Sequence, residues 1–412
     1  MYIIAMYINN KNGTFTDQIK STTNQVSFYG MGLDIADINN DNLKDIVVLD
    51  MASRDHIRGK TLMASMNVPR FNLLIEDLEL QYQYMFNSVQ LNVGSDKFHN
   101  VASLTGMSKT DWSWASLIFD TNHDTEEDVY VTNGYRRYAL DNDSRMKVAR
   151  AQQQYQGNVP LNVKEQIYNE LPTERLANIL FRNKGHLKFE DVTSLSDLNE
   201  PSFSNGAAYS DLDNDGDLDI VVNNMDHEAF LFKNETVENS AGNFLKVNTI
   251  GEQSEDFAKV TISFDGKSKT KESARVRGYL SAVDKTVHFG LGYVNNIDTL
   301  KVVWQNGRYQ EIYDVKANTT IVVKEEDAKE VLDLNQTKNY RFASTQVNGL
   351  NFVHKENTFN DFQKEVLLPY KQSTLGPSIA KADINGDGLE DLFIGGALGQ
   401  SPQIFVQTSN GF

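Results

Sequence analysis

Aspartate and asparagine recur at alternate positions in four short segments, and that spacing suits a hard divalent cation. The segments are Asp37-Ile-Asn-Asn-Asp41-Asn-Leu-Lys-Asp45, Asp120-Thr-Asn-His-Asp124-Thr-Glu-Glu-Asp128, Asp211-Leu-Asp-Asn-Asp215-Gly-Asp-Leu-Asp219 and Asp383-Ile-Asn-Gly-Asp387-Gly-Leu-Glu-Asp391. Calcium takes six to eight oxygen ligands at about 2.3–2.6 Å, so a loop must bring several carboxylates and carbonyls to one point. Positions one, three, five and nine are Asp or Asn in every copy, and position seven can add a backbone carbonyl. The expected ligands are therefore Asp37, Asn39, Asp41, Leu43 and Asp45 in loop one, and Asp120, Asn122, Asp124, Glu126 and Asp128 in loop two. Loop three offers Asp211, Asp213, Asp215, Asp217 and Asp219, and loop four offers Asp383, Asn385, Asp387, Leu389 and Asp391. Magnesium suits these loops less well, because it demands a tighter octahedron.

A calcium-free turn, in which Asp and Asn bond to their own backbone, explains one such loop equally well. Four of them are harder to explain that way, because clustered carboxylates repel unless a cation neutralises them. Loop three, with the most carboxylates, is expected to bind best. Loop two, which has Thr125 in place of a turn glycine and His123 inside it, is expected to be the weakest. A helix-loop-helix calcium hand is excluded by position twelve, which would need Glu and is Val48, Val131, Val222 or Ile394. These aliphatic, β-prone residues place the loops between strands.

The elements that position the loops repeat with them. Phe15, Phe98 and Phe189 each stand 22 residues ahead of a first loop aspartate, and each follows an Asn and a Gly. Apolar stretches flank each loop, giving about four short strands per unit, the content of one propeller blade. The fold class expected is mainly β: a partial, incomplete seven-bladed propeller with helical insertions and an inserted small β-domain. Blades are expected over 1–238, with insertions near 54–84 and 136–180 where Leu, Met, Lys, Glu and Gln fall at helical spacing. The acidic loops vanish over 239–326, where turns at Asp265-Gly266 and Asn306-Gly307 mark the β-domain. Residues 327–412 return to a further, truncated blade. The first 22 residues read as the last strands of a blade, so the chain is expected to be a fragment of a longer protein.

The remaining composition mostly excludes. A net charge of -17 disfavours nucleic acid and anionic lipid. The absence of cysteine removes disulfides and thiolate chemistry, and no apolar run is long enough to span a membrane. His-Glu-x-x-His, Gly-x-Ser-x-Gly and Gly-x-x-x-x-Gly-Lys-Ser/Thr are all missing, and the seven histidines are scattered. No catalytic residue is assigned, and an enzyme is not expected. Trp112, Trp114 and Trp304 are read first as packing aromatics and second as sugar platforms.

At the acidic loops, and at Asp111-Trp-Ser-Trp-Ala-Ser-Leu-Ile-Phe-Asp120 and Gly376-Pro-Ser-Ile-Ala-Lys-Ala-Asp383, the chain resembles the FG-GAP/VCBS repeat family of integrin α-like propellers. Arg277-Gly-Tyr-Leu-Ser281, Val287-His-Phe-Gly-Leu-Gly292 and Leu300-Lys-Val-Val-Trp304-Gln-Asn-Gly307 resemble the ASPIC/UnbV domain. Asp256-Phe-Ala-Lys-Val260 departs from that domain's usual Gly-rich segment, and Gln305 stands where Pro is common. The pairing is similar to that of cartilage acidic protein-like proteins and large Bacteroidetes-type surface proteins. It implies an extracellular, cell-surface or outer-membrane-associated location and protein or glycan ligands. The rival readings are a carbohydrate-active or other propeller enzyme and a purely structural spacer.

Overall fold

Strands form here where β-branched and aromatic residues alternate across a turn, and each acidic loop is such a turn. The computed structural model describes residues 4–61, 71–138, 141–251, 257–332, 347–365 and 372–412. Asp256 and parts of both helical insertions (62–70 and 139–140) lie outside the described residues. Two compact units divide the chain, Met1–Gln336 and Thr337–Phe412. The protein is mostly β, 36% strand against 13% helix, and among the described residues none of its several sheets closes.

The larger unit opens with a hairpin of Tyr7–Asn9 and Phe15–Asp17. The first blade then runs Leu33–Ala36, Asp45–Val48, Ser88–Asn92 and Phe98–Asn100 as an antiparallel meander. A second meander follows the same order in Ser113–Phe119, Asp128–Asn133, Ile179–Asn183 and Phe189–Asp191. The third has only three strands, Ser204–Ser210, Asp219–Asn224 and Phe230–Phe232. It falls one short of the expected four because the chain leaves for the β-domain at Asn243 instead of turning back.

Each loop joins the first two strands of its blade, with Ala36 facing Asp45, Phe119 facing Asp128 and Ser210 facing Asp219. The apolar core lies between blades: Val47, Val89, Ile118, Val129 and Phe181 pack the first on the second. Leu117, Phe119, Tyr209, Ile220 and Val222 pack the second on the third. Segment 54–84 contains the helix His56–Thr61, and segment 136–180 contains Asn142–Gln154, N-capped by Asp141, and Leu161–Asn169. Among the described residues no helix is long and apolar enough to cross a membrane.

The β-domain packs two sheets over one core. Asn243–Ile250 lies between Val287–Gly292 and, in parallel, Thr319–Lys324. A five-stranded sheet is built around Lys259–Phe264, Asn296–Val303 and Arg308–Lys316. Asp265 and Gly266 both hold positive φ, 47° and 72°, as a two-residue hairpin turn needs. Trp304 is almost fully buried in this core, so it is a packing residue and offers no sugar platform.

A short hairpin of this domain, Val276–Arg277 and Ser281–Ala282, reaches the innermost strands of all three blades. Gly278 exchanges backbone hydrogen bonds with Leu33 in the first blade. In the second, Tyr279 packs on Trp114 with ring centroids 5.0 Å apart. In the third, Gly206 lies so close that a side chain there would meet Ser281 Oγ at 2.6 Å. Arg277 Nη1 pairs with the buried Asp34 at 2.8 Å. The smaller unit carries one antiparallel sheet, Ile379–Ala382, Asp391–Ile394 and Gln403–Phe405, with loop four between its first two strands.

Candidate metal centre

All four loops fold alike because the same positions make the same backbone contacts. The first aspartate collects N–H groups from inside its own loop: Asp37 accepts from Asp41 and Asn42, and Asp120 from Asn122 and Thr125. Asp211 accepts from Gly216, and Asp383 from Gly386, Asp387 and Gly388. Position six must then adopt a left-handed backbone. It does so in every loop, at Asn42 (φ 64°), Thr125 (79°), Gly216 (112°) and Gly388 (82°). Position four, held by Asn40, His123, Asn214 and Gly386, also has positive φ, a constraint the spacing argument missed. At Gly216 the lack of a side chain serves a second end, since a Cβ would strike the Phe244 ring at 2.0 Å.

The ninth aspartate staples the loop to its blade. Asp45, Asp128, Asp219 and Asp391 each accept an N–H from loop position two on one oxygen, from Ile38, Thr121, Leu212 and Ile384. The other oxygen accepts from the third strand or just beyond it, from Asn92, Asn183, Asn234 and Gln407 at 2.7–2.8 Å. The three asparagines also send their amides to the carbonyl at position eight, Lys44, Glu127 or Leu218. Two of them reach back a blade, Asn183 to the Ile38 carbonyl and Asn234 to that of Thr121, both at 2.9 Å. Asn92 and Asn183 are the Asn that recurs ahead of Gly in the sequence; Asn234 was not singled out there.

Positions three and five meet in loops one, two and four: Asn39 donates to Asp41 at 3.0 Å, Asn122 to Asp124 at 2.9 Å and Asn385 to Asp387 at 2.9 Å. In loop three, carboxylate oxygens of Asp211, Asp213 and Asp215 gather within 4.8 Å of one another. Buried oxygens without a hydrogen-bond partner concentrate at these same positions: Asn39 Oδ1, Asn122 Oδ1, Asp211 Oδ1, Asp215 Oδ2 and Asp217 Oδ1. A buried acceptor with no donor carries the full cost of desolvation, and hard oxygens facing one another are the donor set a calcium ion requires. The residues fit that ion.

Electrostatics agree with the crowding. Burial, with the field of neighbouring carboxylates, pushes Asp45 up to about 7, Asp120 to about 8, Asp128 to about 6 and Asp217 to about 7. Two lysines compensate in loop three: Lys246, from the β-domain, pairs with Asp211, and Lys233 lies 2.6 Å from Asp213. The hydrogen bond from Lys233 holds Asp213 below its ordinary value. Exposed Asp383 is lowered by its backbone donors, Gly388 first.

The β-domain also backs loops two and three. His288 hydrogen-bonds the Gly216 carbonyl through Nε2 at 2.9 Å, and burial holds this imidazole well below its usual range and so neutral. Gly290 leaves room for Asp120, whose Oδ2 a Cβ would meet at 2.0 Å.

No curated protein matches the chain. The family described as FG-GAP-like repeat matches residues 3–48, from the opening hairpin through loop one to the second strand of the first blade. That stretch straddles two blades, in keeping with asparagines that stitch one blade to the loop before it. ASPIC and UnbV matches residues 258–330, spanning the hairpin at Arg277, the strand at His288 and the buried Trp304. Loops two, three and four lie outside the matched stretches and rest on their own geometry. With both segments falling on the elements described above, the chain contains an FG-GAP-like repeat and an ASPIC/UnbV domain.

Proposed function

We propose that this chain is a calcium-binding, non-enzymatic module for recognising or scaffolding protein or glycan ligands, outside the cell or at its surface. One observation carries the calcium reading: side-chain oxygens at position three of loops one and two, and at positions one, five and seven of loop three, are buried without hydrogen-bond partners. Each ion would be held by the oxygens at positions one, three and five, with further donors from positions seven and nine. It supplies charge neutralisation, which lets the loops close against their blades. The recognition reading follows from the FG-GAP-like and ASPIC/UnbV segments. Structural calcium at 100 times its dissociation constant adds about 2.7 kcal/mol per site. Calcium titration by isothermal calorimetry should show saturable binding, and EDTA should lower the melting temperature by several degrees. Unchanged melting after removal of calcium shown beforehand to be bound would refute the stabilising role. Glycan arrays and pull-downs test the recognition role, and turnover of a polysaccharide would favour the enzyme reading instead.

A further inference from the structure

Loop three gathers more negative charge than one ion needs. Loops one and four have carboxylates at positions one, five and nine, with asparagine at three and leucine at seven. Loop three has aspartate at all five positions, and Glu238 comes to it from the turn that follows the third blade. Its carboxylates fall into two groups, each within 4.8 Å: Asp211, Asp213 and Asp215, then Asp215, Asp217 and Glu238. Only Asp215 is common to both. Asp217 is completely buried; its Oδ2 accepts the Val237 N–H at 3.0 Å, while its Oδ1 has no partner. Asp215 Oδ2 in the same group is likewise buried and accepts no hydrogen bond, its nearest cation being Lys233 Nζ at 3.6 Å.

The lysines at this loop do not balance it. Lys233 bridges Asp213 and Glu238 at 2.6 Å each, with Asp215 at 3.6 Å, and Lys246 pairs with Asp211. Two ammonium groups face six carboxylates once Asp219 is included, which leaves a deficit that two divalent ions remove. Lys233 is half-exposed on a flexible stem, so it can leave when an ion arrives.

We propose that loop three is a two-cation site in which Asp215 bridges one ion held by Asp211 and Asp213 and a second held by Asp217 and Glu238. The proposal rests on the calcium reading of the loops and adds a ligand from outside the repeated motif. Because Glu238 precedes the strand Asn243–Ile250, the second ion ties the loop to the start of the β-domain.

Native mass spectrometry and calorimetry on the full chain, with Ca²⁺ as the only divalent ion, provide the test. Asp217→Asn and Glu238→Gln should each bind one ion fewer than wild type, or hold the last ion roughly tenfold or more weakly. Lys233→Gln should tighten that same ion, since it removes the competing ammonium. Wild-type stoichiometry and affinity in both acidic-residue variants would overturn the second ion and leave the single-ion loops intact. Failure of wild type to bind any Ca²⁺ would overturn the loop reading itself, and the two-ion site with it.

Discussion

Thr125 holds φ at 79°, a conformation that a β-branched residue adopts only under strain. The loop imposes it because the Thr125 N–H must reach Asp120, as the Gly216 N–H reaches Asp211. Thr125→Gly should therefore raise stability by about 1 kcal/mol, read as a higher melting temperature. On the proposed calcium reading, protons should compete with the ion at Asp45 and Asp120, whose folded values of about 7 and about 8 stand above the roughly 4 of an unfolded carboxylate. Without calcium, the stability these groups contribute is present below that lower value and drains away as pH rises through 7 to 8. A bound ion would replace the proton, so the gap in melting temperature between calcium and EDTA should widen from about pH 5.5 to about pH 8. An equal gap at both would contradict the competition.

Loop and blade are joined by asparagines. Asn183 is buried and serves two carbonyls, Ile38 and Glu127, while its own oxygen accepts the Gly185 N–H. Asn183→Ala should cost about 2 kcal/mol or more, because both carbonyls lose their partner. Denaturant melts would show it as a lower midpoint with unchanged slope. The acidic loops were legible in the sequence because their donors sit within nine residues, where spacing alone brings oxygens together. The asparagine stitch was not, since its partner at Ile38 lies 145 residues away. Nor was the charge balance of loop three, to which Glu238, Lys233 and Lys246 come from outside the repeat. The Asp265-Gly266 hairpin was legible because its turn needs two positive φ angles that this pair readily adopts. The departure into the β-domain was legible at 239, close to the strand that starts at Asn243, but the count of four strands per unit did not carry that departure through to the third blade.

Across the larger unit, blades and β-domain are held together by a few buried charges as well as by apolar packing. Arg277 and Asp34 are both largely buried, and Asp34 also accepts the Ile118 N–H at 2.8 Å. Arg277→Ala should cost about 3–5 kcal/mol by leaving that carboxylate without its cation. The paired change Asp34→Asn with Arg277→Met should recover much of the loss, as a thermal-denaturation cycle would show. The hairpin that carries Arg277 touches the innermost strand of three separate sheets, so the β-domain acts as a hub and not as a pendant. A load on that hairpin is therefore shared among the first strands of three separate sheets.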